Sequence, residues 1–310
     1  MAKARITKQQ NKLGLDTLFE QFIAEKTTMG TSEPTIRAYK ITYGVFRKYT
    51  QSEEMSKEIV IGFIGYLKNH YSSLSSVNHH IRNIRAFVYY AFDNGLNSER
   101  FKITTVKGQE EVKTTYTNEE LVLLLAKPTD DCDFAEYRNW IIVQMLIGTG
   151  IRASTLLNIQ LKDISLSSRQ LILAHTKNKK AQIIPLSSTL CKNLNTYISL
   201  YRDANNHTSY LFPNVYDEQM NYNALRLAIS RYNRKRGVDN TSIHSFRHTF
   251  AKQWILNHGD SIVLQKMLGH SSMEMTRRYV NLFSTDLNKD FDDYCPLESL
   301  MPKGKKHVLK

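Results

Sequence analysis

The chain has 310 residues, 41% apolar and 23% charged, enough for two domains that each bury a core. Its formal net charge of +13 attracts polyanions and leaves ribosomal, membrane-surface and DNA-binding roles open. No stretch approaches the ~20 apolar residues of a membrane span, and MAKARITKQQNK lacks the apolar centre of a signal peptide. Three widely spaced cysteines, Cys132, Cys191 and Cys295, point to a reduced cytoplasm and away from a disulfide framework or zinc cluster.

In chain order, residues 1–12 read as a basic arm. Leu15, Leu18, Phe19, Phe22 and Ile23 repeat at helical spacing. Thr31-Ser32-Glu33-Pro34 is a helix start, followed by an apolar stripe of Ile36, Tyr39, Tyr43, Phe46 and Tyr49. Ile59 to Leu67 and Val77 to Phe92 predict two more helices, the latter stopped at Asn94-Gly95. Residues 13–98 are therefore expected to form an all-helical domain, and the charged, aperiodic residues 99–115 a linker.

A second domain, 116–287, opens at the cap Thr117-Asn118-Glu119-Glu120. Tyr137 to Ile147 is an apolar helix, halted by Gly148-Thr149-Gly150. Leu171–Ala174 and Ile183–Leu186 predict two strands around the polar turn Lys177-Asn178-Lys179-Lys180. The remainder is mainly helical, giving a mainly α chain with a small β-sheet, and residues 288–310 form a tail.

Four segments can carry chemistry. Arg152 follows Gly148-Thr149-Gly150 where the next helix begins, a place whose free N–H groups and guanidinium fork suit a phosphate. Alone, the segment reads better as a turn with a surface arginine. Lys177 at the hairpin turn can reach a DNA groove or protonate a leaving oxygen, or simply be solvated, as Lys179 and Lys180 are read. In His244-Ser245-Phe246-Arg247-His248, the three-residue spacing puts His244 beside Arg247, while Phe246 and Phe250 point to the core. His248 and His258 have no such partner in the sequence and are read as structural. The fourth segment is Leu268-Gly269-His270 through Tyr279. On one continuous helix the nine-residue separation would place His270 and Tyr279 on opposite sides. A break at Gly269, with a capping box in Ser271-Ser272-Met273-Glu274, lets both face one pocket. With 17 tyrosines in the chain, composition does not single out Tyr279.

In this order the segments resemble the tyrosine recombinase (phage integrase) family, including mobile-element integrases and Xer-type recombinases. The pattern is an arginine after a GTG-type turn, a hairpin lysine, an H-x-x-R pair, an L-G-H and a tyrosine nine residues on, filled here by Arg152, Lys177, His244, Arg247, His270 and Tyr279. The resemblance is specific over residues 116–283. One departure is Thr155, where many members carry an acidic residue.

The resemblance implies a two-domain, C-shaped clamp, with a helical core-binding domain and an α/β catalytic domain. It implies a site-specific recombinase that cleaves and rejoins DNA through a 3′-phosphotyrosyl intermediate, with no metal or other cofactor. Tyr279 would be the nucleophile, Arg152, Arg247 and His270 the phosphate clamp, Lys177 the acid, and His244 a general acid or base. Its partners would be double-stranded recombination sites, three further copies in a synaptic tetramer, and an accessory directionality factor, with no membrane. Candidate DNA contacts are Arg37, Lys40, Arg47, Lys48, Arg82 and Arg85 in the first domain. In the second they are Arg231, Arg234 and Lys235, within a basic run that includes Arg226 and Arg236. Leu297, Leu300 and Met301 favour a tail that packs on a neighbouring protomer over a frayed end. The competing readings are a type IB topoisomerase-like relaxing enzyme and a catalytically idle DNA-binding regulator.

Overall fold

Apolar residues at helical spacing have to find one another, and in this chain they do so in two separate cores. The computed structural model describes residues 14–53, 55–94, 100–108, 114–173, 182–202, 209–269, 272–274, 276, 277 and 279. The chain divides into two compact units, Met1–Glu111 and Val112–Lys310. Among the described residues no helix is long and apolar enough to cross a membrane.

In the first unit, helices α1 (Leu15–Thr28), α2 (Glu33–Tyr49), α3 (Lys57–His70) and α4 (Leu74–Asp93) bury their apolar stripes against one another. Ser32 is the N-cap of α2, with the proline in its first turn, and Asn94 ends α4. Phe19 stacks on Tyr43 at 3.8 Å and meets Phe87 edge-on at 5.2 Å. Residues 100–108, part of the expected linker, lie against this core: Ile103 is buried, and Val106 exchanges two backbone hydrogen bonds with the Asn78 amide.

The second unit is built around α6 (Phe134–Thr149), which is buried on nearly every side, its mostly apolar residues accompanied by buried Arg138, Asn139 and Gln144. Packed on it are α5 (Asn118–Leu125), α8 (Ser188–Tyr201), α9 (Tyr222–Lys235) and α10 (Ile243–Leu256). The expected cap of α5 is present as a reciprocal capping box between Thr117 and Glu120. Phe246 and Phe250 enter the core, as their positions predict. The single turn α7 (Ala153–Leu156) and α11 (Ser261–Leu268) complete the helices described.

Strands β2 (Gln170–Leu173) and β3 (Gln182–Pro185) pair antiparallel with Leu171 opposite Ile184, the hairpin expected from the sequence. A two-residue strand, β1 (Ile164–Ser165), adds to the other edge of β2 in the order β1-β2-β3. It is too short to show a period, so alternation could not reveal it.

Helix α6 does not stop at Gly148 but runs through it to Thr149, and Gly150 ends it at φ 64°. A methyl group on Gly150 would lie 2.9 Å from Leu268 Cδ2 and overlap the Phe250 ring, so this left-handed position also needs the smallest residue. Gly150→Ala is expected to cost roughly 2–4 kcal/mol, the sum of left-handed strain and overpacking. Urea unfolding measures this, and an unchanged midpoint and slope would refute it.

Candidate functional site

The last turn of α11 leaves carbonyls without intrahelical partners, and side chains from three distant segments fill them. Gln182, at the start of β3, donates from Nε2 to Lys266 O at 2.8 Å and Met267 O at 2.7 Å. Arg247, on α10, donates from Nη2 to Leu268 O at 2.8 Å and from Nη1 to Gly150 O, also at 2.8 Å. Arg152 donates from Nη2 to Gly269 O at 3.3 Å. Gly269 ends α11 in the left-handed region at φ 59°, as Gly150 ends α6. Two glycine-capped helix ends thus converge on two guanidinium groups, the arrangement that a helix C-terminus favours for cations.

Arg152 is the N-cap of α7, as its position predicts, but α7 is only four residues long. One turn sums few peptide dipoles, so the positive character there comes from the arginine itself. Arg247 is 8% exposed. Burial, and then repulsion from Arg152, push its guanidinium down to about 10, while Tyr279 acts in the other direction. Holding the full charge there costs on the order of 3 kcal/mol. Among the described residues neither arginine has a carboxylate partner. A buried guanidinium beside a half-buried one, with no carboxylate partner among the described residues, is a site prepared for an anion.

Tyr279 is 4% exposed and packs into the core of the second unit. Burial raises its phenol above the ordinary value, and the Arg247 and Arg152 charges pull it back down. The phenol therefore lies in the field of both guanidiniums. Its oxygen is 2.8 Å from Nδ1 of His248, with the rings 5.8 Å apart. His248 was read from the sequence as structural, and the structure instead places it on the nucleophile candidate. The signal was its position one turn after His244 and next to Arg247, on one face of α10. What it lacked was any sequence clue that residue 279 folds back onto that face. His244 is exposed. His258 occupies the left-handed turn after α10, at φ 59°, in keeping with a structural part.

Lys177 and His270 lie outside the described residues, as do Lys179, Lys180, the capping box residue Ser271, the arm and the tail. Of the surface cations, Arg37, Lys40, Lys48, Arg82, Arg231 and Arg234 are exposed. Arg47 is held by Asp16 at 3.1 Å and Glu53 at 2.7 Å. Arg85 reaches Ile103 O, and Lys235 pairs with Glu136. Thr155 lies on α7, one turn from Arg152. Among the described residues no cluster of His, Cys, Asp or Glu could hold a metal ion.

An anion site of this kind makes a direct prediction. Sulfate or phosphate, exchanged for chloride at constant ionic strength, should raise the Tm of the protein. At ten times Kd the gain is about 1.4 kcal/mol, roughly 3–6 °C for a unit of this size. Arg247→Ala should abolish the difference between the anions. Equal melting in chloride and sulfate would show that the arginine pair binds no oxyanion.

Comparison with known proteins places the chain among relatives of similar sequence and fold. The chain is 26% identical over 295 residues to the tyrosine recombinase XerD of Staphylococcus haemolyticus (strain JCSC1435), covering 91% of this chain and 99% of that one. It is 23% identical to the tyrosine recombinase XerA of Pyrococcus horikoshii (strain ATCC 700860 / DSM 12428 / JCM 9974 / NBRC 100139 / OT-3), covering 95% and 99%. In fold it resembles the XerH site-specific recombinase bound to palindromic difH substrate in a post-cleavage complex. That match has a TM-score of 0.69 and 19% identity, over 89% of this chain and 84% of that one. The phage integrase family matches residues 114–285, more than half of the sequence, and the chain belongs to that family.

Proposed function

We propose that this protein is a site-specific DNA recombinase that cuts and rejoins duplex DNA through a 3′-phosphotyrosyl link to Tyr279. The observation that carries the reading is a buried phenol in the field of two guanidiniums that have no carboxylate partner among the described residues. Family membership agrees with it.

A phosphodiester repels nucleophiles, and attack on phosphorus builds further charge on the non-bridging oxygens. Arg152 and Arg247 offset that charge where it develops, and their carbonyl partners fix them in advance of it. His270 joins them under this reading. The Tyr279 oxygen bonds to phosphorus as the 5′-oxygen leaves, and Lys177 gives that oxygen its proton. His244 assists as a general acid or base. The phosphotyrosyl link keeps the energy of the broken ester, so the 5′-hydroxyl can reverse the reaction without ATP.

The helical first unit serves as the core-binding domain, and the two units close on the duplex as a clamp. Arg37, Lys40, Lys48, Arg82, Arg231 and Arg234 are positioned for phosphate contacts by their exposure. Arg47, Arg85 and Lys235 would have to leave partners within the protein to join them. Recombination pairs two sites, so four copies act together, with the 288–310 tail packing on a neighbour and an accessory factor setting direction.

Tyr279→Phe should bind DNA normally and form no covalent adduct on a nicked suicide duplex. Arg152→Ala and Arg247→Ala should each slow adduct formation by about 3 kcal/mol of transition-state stabilisation. An adduct from Tyr279→Phe, or near wild-type rates from both arginine variants, would overturn the assignment. With two plasmids, exchange of sites separates a recombinase from an enzyme that only relaxes supercoils.

A further inference from the structure

We propose that His248 is a catalytic residue, whose Nδ1 takes the phenolic proton as Tyr279 attacks and returns it when the strand is rejoined. The proposal rests on the reading of Tyr279 as nucleophile. It assigns a proton acceptor in contact with the phenol, a role the sequence had left with the exposed His244.

The phenol of Tyr279 must lose its proton as it attacks. Burial outweighs the two arginines and leaves it above its ordinary pKa, so at neutral pH it holds its proton. A neutral phenol is a poor nucleophile, and a base within hydrogen-bond reach is needed to make it a good one. The guanidiniums cannot take a proton. His248 Nδ1 is 2.8 Å from the oxygen, inside that reach. In the neutral tautomer protonated at Nε2, the phenol O–H donates to the Nδ1 lone pair, which is the geometry of proton removal.

Position in the chain strengthens the case. His248 directly follows Arg247, whose fork is fixed by Gly150 O and Leu268 O. The same turn of α10 therefore holds a phosphate-directed cation and the contact to the nucleophile. Any phosphate held by Arg247 stands beside the imidazole that becomes charged. That phosphate offsets the repulsion an imidazolium would feel from Arg247 and Arg152, so proton removal is favoured only when DNA is in place.

The step balances. In cleavage the bond from the Tyr279 oxygen to phosphorus forms, the bond from phosphorus to the 5′-oxygen breaks, and the phenolic proton passes to His248. The 5′-oxygen receives its proton from the acid side, Lys177 in the proposed mechanism. In rejoining, the 5′-hydroxyl returns its proton to Lys177 as its oxygen bonds to phosphorus, the bond from phosphorus to the Tyr279 oxygen breaks, and the imidazolium gives its proton back to the phenolate. No electrons are exchanged with any other reactant.

The test uses the full chain and a nicked suicide duplex with a randomised core, from which wild-type protein captures its own substrates as covalent adducts. His248→Phe removes the contact, and His248→Asn places an amide oxygen where Nδ1 lies, able to accept the hydrogen bond but not the proton. Both variants should bind the captured duplex as wild type does, which also shows that they fold, and both should form adduct about 10²-fold more slowly. Fluorinated tyrosine at position 279, a more acidic phenol, should recover more of the rate in the variants than in wild type. A wild-type rate in His248→Asn would reduce the contact to placement. A faster rate in either variant would make it a resting latch, and equal fluorotyrosine effects in all three proteins would remove proton transfer from the role. Each of these overturns the proposal while leaving Tyr279 as nucleophile. Absence of any wild-type adduct would instead sink the recombinase reading itself.

Discussion

The end of α11 needs hydrogen-bond donors, and the side chains that supply them assemble the site. Four successive carbonyls, from Lys266 to Gly269, accept from Gln182, Arg247 and Arg152, which belong to β3, α10 and the start of α7. β3 and α7 are distant from α11 in sequence, and α10 immediately precedes it. Lys266 O also accepts from the Gly269 N–H; leaving the buried Leu268 O unpaired would cost about 1–3 kcal/mol, and together these bonds tie four segments to one point. Gly150 O belongs to the same arrangement, since Arg247 bridges it to Leu268 O.

This gives the arginines a double character. Toward the protein they act as caps for two helices, and toward the remaining side they present N–H groups that the carbonyls do not exhaust, since a guanidinium has five. The fold tolerates the cost of the buried Arg247 beside the half-buried Arg152 because the carbonyls provide partial negative charge without neutralising it. A carboxylate in the same place would hold the arginines more tightly and would also compete with a phosphate. The phenol of Tyr279, kept neutral by burial, adds no counter-charge until it loses its proton.

Much of this was written in local patterns. The α2 and α5 starts follow from Ser32-Glu33-Pro34 and from the Thr117 to Glu120 box, both confined to four residues. The β2–β3 pairing followed from two short apolar runs flanking a polar turn. Legibility ended where an interaction joined distant residues. Arg47 looked like a free surface cation until Asp16, 31 residues away, and Glu53 came beside it. Lys235 meets Glu136 across 99 residues. His248 looked structural because the phenol it touches lies 31 residues further on, past a helix end whose direction only packing sets. The six-position motif was readable as a pattern, but not the reason its arginines hold their places, which lies in backbone carbonyls that no side-chain pattern encodes.

The central claim is that one phenol becomes bonded to DNA, and that the bond is to a 3′-phosphate. Digesting the trapped complex with protease and nuclease, then sequencing the nucleotide-bearing peptide by mass spectrometry, reads both features at once. The account predicts a single modified residue, Tyr279, carrying a 3′-phosphoryl nucleotide. A nucleotide on any other residue, or a 5′-phosphoryl linkage at Tyr279, would contradict it.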